Sequence, residues 1–136
     1  MFETFEHTAD LGLRIRADDL NTLFAEAARA LFSVIVENPQ DIRPLEEIPF
    51  TIKGSDAEEL LHDWLTELLF TFHVGRRLLA NFDVRITPAE LTAVALGEKF
   101  DPNRHEINLE IKAVTWHNLK VVQTPSGWMA EVIVDI

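Results

Sequence analysis

Leu11, Leu13 and Ile15 alternate with Gly12, Arg14 and Arg16. This is the two-residue period of a strand with one buried face. The period then changes. Leu20, Leu23, Phe24, Ala27, Leu31, Phe32 and Ile35 recur at helical spacing, so residues 19–36 are expected to form an amphipathic helix capped by Asp18 or Asp19. Asn38-Pro39 closes it, and residues 40–49, with two prolines, read as a loop. Ile48, Phe50 and Ile52 alternate into a short strand. Gly54-Ser55 interrupts that pattern, and Ser55 and Glu58 have the spacing of a capping box. Leu60, Leu61, Trp64, Leu65, Leu68, Leu69 and Phe72 then make one apolar stripe, predicting a second helix over 56–73 with Trp64 in the core.

Beyond Gly75 the period returns to two. Phe82, Val84 and Ile86 alternate with polar residues, and Pro88-Ala89-Glu90 is a turn signal before a strand over 91–96. A polar loop is expected over 97–103, and a strand over 107–113, where Ile107, Leu109, Ile111 and Ala113 alternate with Glu106, Asn108, Glu110 and Lys112. Residues 119–122 continue as strand, 124–127 turn, and 128–134 form the last strand. Helices early and strands gathered late predict an α+β fold with mainly antiparallel pairing and two helices packed on one face of the sheet.

Composition narrows this picture. The 136 residues suit one domain, spanning 1–136, that needs no metal or disulfide to fold. No apolar run is long enough to span a membrane, and the first residues lack the basic and apolar regions of a secretory signal. Cysteine is absent, which removes thiolate metal sites and cysteine nucleophiles and fits a cytoplasmic protein. The net charge of −11 argues against autonomous nucleic-acid binding; such a surface could meet a basic protein or hold metal cations, and on composition alone it equally serves to maintain solubility.

No phosphate-binding glycine loop, nucleophile elbow or H-E-x-x-H motif occurs. The candidate chemistry lies in four smaller groups. Glu6, His7 and Asp10 fall in a linker between two strands, where Asp10 could equally accept backbone N–H bonds in a turn. Glu98, Asp101 and His105 could ligate a metal, but Asp101-Pro102-Asn103 is ordinary turn chemistry. Lys112 and His117 would face opposite sides of a regular strand. Asp135 stands beside the α-carboxylate of Ile136, and two anionic groups this close repel unless solvent or a cation intervenes. Hard oxygen donors without thiols suit Ca²⁺, Mg²⁺ or Mn²⁺.

These segments together resemble the archease family. The resemblance rests on Glu6-His7-Thr8-Ala9-Asp10-Leu11-Gly12; on Gly97-Glu98 with Phe100-Asp101-Pro102 and Arg104-His105; on Ile111 to His117; and on Gly127-Trp128 with Val132 to Ile136. It is weakest over 72–80, taken as a loop, and Trp116 stands where the family pattern has tyrosine. The resemblance implies a protein cofactor, not an enzyme, that activates an RtcB-type RNA ligase in tRNA splicing and RNA repair by promoting its guanylylation and multiple turnover. It further implies a divalent metal, calcium among the candidates, held by Asp10, Asp135 and Ile136, with His7 and Lys112 on the ligase-activating surface. Two other readings compete: a stand-alone metal-dependent phosphohydrolase using the same carboxylates, and a chaperone-like binding module independent of them. If the site is real, Asp10 and Asp135 should share the reach of one ion, with about 5 Å or less between carboxylate oxygens.

Overall fold

A computed structural model describes residues 1–7 and 10–136, with His7 described in its backbone only. Thr8 and Ala9, the middle of the first candidate linker, lie outside the described residues. The chain opens as a hairpin, β1 (Phe2–His7) and β2 (Asp10–Ala17), so Glu6, His7 and Asp10 belong to strands and not to a linker. α1 (Leu20–Ile35) follows, started by Asp19, whose Oδ1 accepts the Thr22 amide at 2.8 Å. The expected loop over 40–49 is shorter than its prolines suggest. It holds one 3₁₀ turn, Pro39–Asp41, and β3 (Glu46–Lys53) begins before Pro49.

α2 (Ala57–His73) is capped one residue later than the sequence pattern indicates. Asp56 accepts the Glu59 amide at 2.8 Å, and Glu59 Oε1 reaches back to accept the Ser55 amide at 3.1 Å. The cap is Asp56, with Glu59 in place of Glu58 reaching back to Ser55, one residue before the cap. The chain then turns through Val74–Arg76 into β4 (Arg77–Thr87), so most of the expected 72–80 loop is helix end or strand. β5 (Glu90–Lys99) pairs along β4, with a register shift between Leu79 and Asn81 that breaks the simple alternation there. Gly97 lies at this irregularity; a Cβ on it would collide with the Leu78 carbonyl oxygen.

The segment expected as a strand over 107–113 is mostly not one. Only β6 (Ala113–Val114) joins a sheet there. Upstream of it, the Asn108 amide donates to Ile35 O at 2.8 Å and the Leu109 amide to Val34 O at 3.2 Å. The segment thus satisfies carbonyls that the last turn of α1 leaves without helical partners. Its hydrogen-bonding demand is met by a helix end, so its alternating pattern does not build a ladder. β7 (Lys120–Thr124) and β8 (Gly127–Asp135) form the closing hairpin.

Two antiparallel sheets result. One runs β1-β2-β8, with β6 and β7 sharing the outer edge of β8; the other runs β3-β5-β4. Both helices touch both sheets, so the apolar faces of the two sheets meet around α1 and α2. Leu13, Ile15, Ala130, Val132 and Val134 come from the larger sheet, and Phe50, Ile52, Phe82 and Val84 from the smaller. Trp64 is fully buried among them, its ring edge-on to Phe50 at 5.3 Å and to Phe82 at 6.3 Å. Its Nε1–H donates to Phe24 O at 3.0 Å, so the indole's one polar atom is satisfied. No helix among the described residues is long and apolar enough to cross a membrane.

Candidate functional site

Leu13 and Ile15 are buried, so Asp10, Gly12, Arg14 and Arg16 occupy the opposite, outward face of β2. On this face the register lines residues up in rows across the strands. One row reads Glu3, Arg14, Glu131, Lys120, with charges alternating in sign from strand to strand. Its contacts are close: Arg14 to Glu3 at 3.2 Å, Arg14 to Glu131 at 2.6 Å and Lys120 to Glu131 at 3.0 Å. Lys120 and Arg14 hold the Glu131 carboxyl below its ordinary value, against the opposing effect of burial. Next to it lies a row of Phe5, Gly12 and Ile133. Gly12 carries no side chain because the Phe5 ring lies where a Cβ would point, and Arg14 covers that ring at 4.7 Å.

The last row breaks the sign alternation. His7 pairs with Asp10, Asp10 with Asp135, and Asp135 with Ala113. Two carboxylates therefore stand directly opposite each other, and side chains so placed have Cβ atoms about 5 Å apart. Opposed like charges destabilise a sheet unless something positive joins them. Lys112, one residue before this row, donates its amide to Asp135 O at 2.7 Å. Ile136 follows Asp135 at the same sheet end. The row thus brings Asp10, Asp135, Ile136 and Lys112 together, with the His7 backbone beside them.

These donors are the hard oxygens that Ca²⁺, Mg²⁺ and Mn²⁺ take. Among the described residues, three or more His, Asp or Glu side chains nowhere gather as a metal-holding group. An ion at the row would therefore also draw on donors beyond these side chains.

The other candidates fall elsewhere. Glu6 pairs with Leu11 and so sits on the opposite face of β1 from the row. His117 lies in the turn after β6, within 3.3 Å of Asn118 Nδ2, and the segment from Lys112 to His117 is too irregular for strand parity to apply. Glu98 and His105 are buried against each other. The Asp101 amide donates to His105 Nδ1 at 2.9 Å, so the ring proton sits on Nε2, which donates to Glu98 Oε2 at 3.0 Å. Asp101 itself accepts the Asn103 amide at 2.9 Å, as its turn chemistry implies. Glu98 also receives Arg104 at 2.7 Å and the Arg43 amide at 2.7 Å. This group is a buried clasp between two loops. Arg43, 55 residues from Glu98, carries no sequence signal that would have linked it to the group.

The fold and site together define a small acidic α+β protein whose two termini join to form a carboxylate row, with no enzyme motif attached. Comparison with known proteins makes the class specific. The family model described as "Archease protein family (MTH1598/TM1083)" matches residues 2–136. The chain is 41% identical to protein archease of Methanopyrus kandleri over 139 residues, covering 99% of each chain. It is 41% identical to protein archease of Pyrococcus furiosus over 140 residues, covering 99% of this chain and 98% of the other. The solution structure of Methanobacterium thermoautotrophicum protein 1598 superposes with a TM-score of 0.86 at 34% identity, covering 99% of this chain and 98% of that one. A Thermotoga maritima archease, described as a possible chaperone, shares the fold with a TM-score of 0.66 at 22% identity, covering 100% of this chain and 98% of that one. This chain belongs to the archease family.

Proposed function

We propose that this protein is a cytoplasmic, metal-binding cofactor of an RtcB-type RNA ligase that promotes the ligase's guanylylation and sustains its turnover in tRNA splicing and RNA repair. The observation that carries the reading is the Asp10–Asp135 pair, two acids 125 positions apart set face to face where the ends of β2 and β8 coincide. Asp10, Asp135 and the Ile136 carboxylate would hold a divalent cation. Such an ion supplies positive charge where triphosphate charge must be neutralised for nucleotidyl transfer. Lys112, whose amide is tied to Asp135 O, places a flexible cation beside the row. The backbone of β1 holds His7 next to Asp10, so both candidates for the activating surface flank the carboxylates. An acidic domain of net charge −11 is drawn to a positively charged partner surface such as the mouth of an RNA-binding enzyme.

The test is GMP loading of a purified ligase in the presence of wild-type, Asp10→Ala or Asp135→Ala protein. Each substitution is expected to reduce the stimulation by about 10-fold or more, the scale on which losing a buried or metal-bound charge acts. Full stimulation by both variants would remove the row from the mechanism. The competing readings separate cleanly: a phosphohydrolase would turn over a phosphate substrate with no ligase present, and a chaperone-like module would protect unrelated clients regardless of Asp10.

A further inference from the structure

Eight large apolar side chains are exposed among the described residues, and five of them, Phe70, Val74, Ile107, Leu109 and Trp116, belong to two neighbouring segments: the outer side of α2 and the strap from 106 to 116. Two histidines join these segments. His73 Nε2 donates to Ile111 O at 2.8 Å near the helix end, and His62 Nε2 donates to Val114 O at 3.1 Å near its start. His62 is held further by Asp63 Oδ1 at 3.0 Å from Nδ1. On this fixed ring lies Trp116, stacked at 3.8 Å between centroids with planes 11° apart and still 57% exposed. One indole face is occupied by His62, and the rest of the residue is presented to solvent. Trp116 is thus a rigid, pre-oriented aromatic platform, and an ordinary surface tryptophan has no such support.

The exposed charges of the two segments are mostly acidic, with Lys112 the basic exception on the strap. Asp63, Glu67, Phe70 and Val74 follow at i, i+4, i+7 and i+11, so they share one exposed stripe of α2, acidic toward Trp116 and apolar toward the helix end. Across from it the strap adds Glu106 and Glu110, both exposed. An exposed tryptophan face on an acidic surface recognises a cation, above all the flat guanidinium of arginine. Tryptophan and arginine are also the residues that dominate binding energy at protein interfaces. Phe70 and Val74 supply an apolar floor for the side chains beside that cation.

We propose that the outer stripe of α2 and the Trp116 platform form a docking surface for a basic protein surface, with an arginine stacked on Trp116 and an apolar side chain set on Phe70 and Val74. Its residues are not those of the carboxylate row, which the strap meets at Lys112 and Ala113, and it assigns the two surfaces different tasks: the stripe confers affinity, and the row confers activation. The inference rests on the proposed ligase partnership, since that ligase is the basic partner against which it is tested.

Binding of the ligase by wild-type, Trp116→Ala, Phe70→Ser and Glu67→Lys protein is to be measured by titration calorimetry at two salt concentrations, alongside GMP loading at saturating protein. All three side chains are exposed, and thermal melts confirm folding. Trp116→Ala and Phe70→Ser are expected to raise Kd by ~10-fold or more, the range of an interface hot spot. Glu67→Lys should raise Kd and flatten its salt dependence. GMP loading at saturation should survive in all three, and Asp10→Ala should show the converse, intact affinity with lost loading. Unchanged Kd in Trp116→Ala and Phe70→Ser, with wild type bound, overturns this surface and leaves the ligase reading standing. Absence of wild-type binding overturns both.

Discussion

Glu98→Ala is expected to destabilise the protein by about 3 kcal/mol at neutral pH, although Glu98 lies in no functional site. Its carboxylate is buried and receives hydrogen bonds from Arg104, His105 and both the backbone and the side chain of Arg43. Removing it leaves the fully buried His105 without its acceptor and cuts the Arg43–Glu98–Arg104 link between the two loops, which then rest on bonds such as Arg104 Nη2 to Asp41 O. Arg43 is half-exposed and can return its charge to water, which keeps the cost at the lower end of the range for a broken buried pair. Burial alone would raise the Glu98 carboxyl, but the donors from Arg104, Arg43 and His105 outweigh it and hold it at about 2, against an ordinary 4.5. A carboxyl depressed in the folded state stabilises the fold at pH values above its unfolded value. That contribution is lost as pH falls from about 4.5 toward 2. Urea unfolding at pH 7 and at pH 3 checks this: wild type should lose more stability than Glu98→Gln between the two. Equal losses would show that the clasp does not depend on the charge.

Trp64→Ala should cost about 4 kcal/mol, the scale of a large aromatic removed from a packed core. Trp64 is the point where α2 touches α1, through Phe24 O, and the smaller sheet, through Phe50 and Phe82. The two rings against it are fixed on different strands, β3 and β4, and cannot collapse together into the space. Trp64→Phe keeps most of the apolar volume and gives up the Nε1–H bond, so it should cost about 1–2 kcal/mol. Denaturant midpoints of the two variants check the order. If the two lose the same amount, the hydrogen bond and not the packing sets the role of this residue.

Both effects come from residues whose importance the sequence shows unevenly. The stripe containing Trp64 is strictly periodic, and its burial follows from helical spacing alone. Glu98 stands in a polar run that reads as a loop, because Gly97 and the register shift at Leu79–Asn81 disguise the end of β5. The extended pattern of 107–113 misleads for a different reason. Alternation reports a half-exposed extended chain, but not whether its partner is a strand or, as here, the carbonyl end of α1. The Ser55–Glu58 spacing and the observed Asp56 cap with Glu59 differ by one residue, within the ambiguity of adjacent residues that can all cap a helix. The helices, the closing hairpin and the antiparallel α+β class follow from local periodicity.

The candidate site was legible in a weaker way. Asp10 reads as a turn aspartate and Asp135 as part of a crowded terminus. No spacing rule connects residues 125 positions apart. Only the family resemblance joined them, and only the sheet register gives the reason: β2 and β8 are neighbours, and their ends coincide. The fold also shows what the sequence did not, that Glu6 faces away from the row and that His105 is spoken for by Glu98.

The central claim is that the joined chain ends form a divalent-cation site. Titrating isotope-labelled protein with Mn²⁺ and following amide signals by NMR tests it directly, since the ion broadens resonances close to it. The account predicts selective broadening at Asp10, Leu11, Lys112 and Asp135 at low Mn²⁺, abolished by Asp135→Asn. Broadening centred instead on the acidic stripe of α2, or spread evenly over the surface, would contradict it.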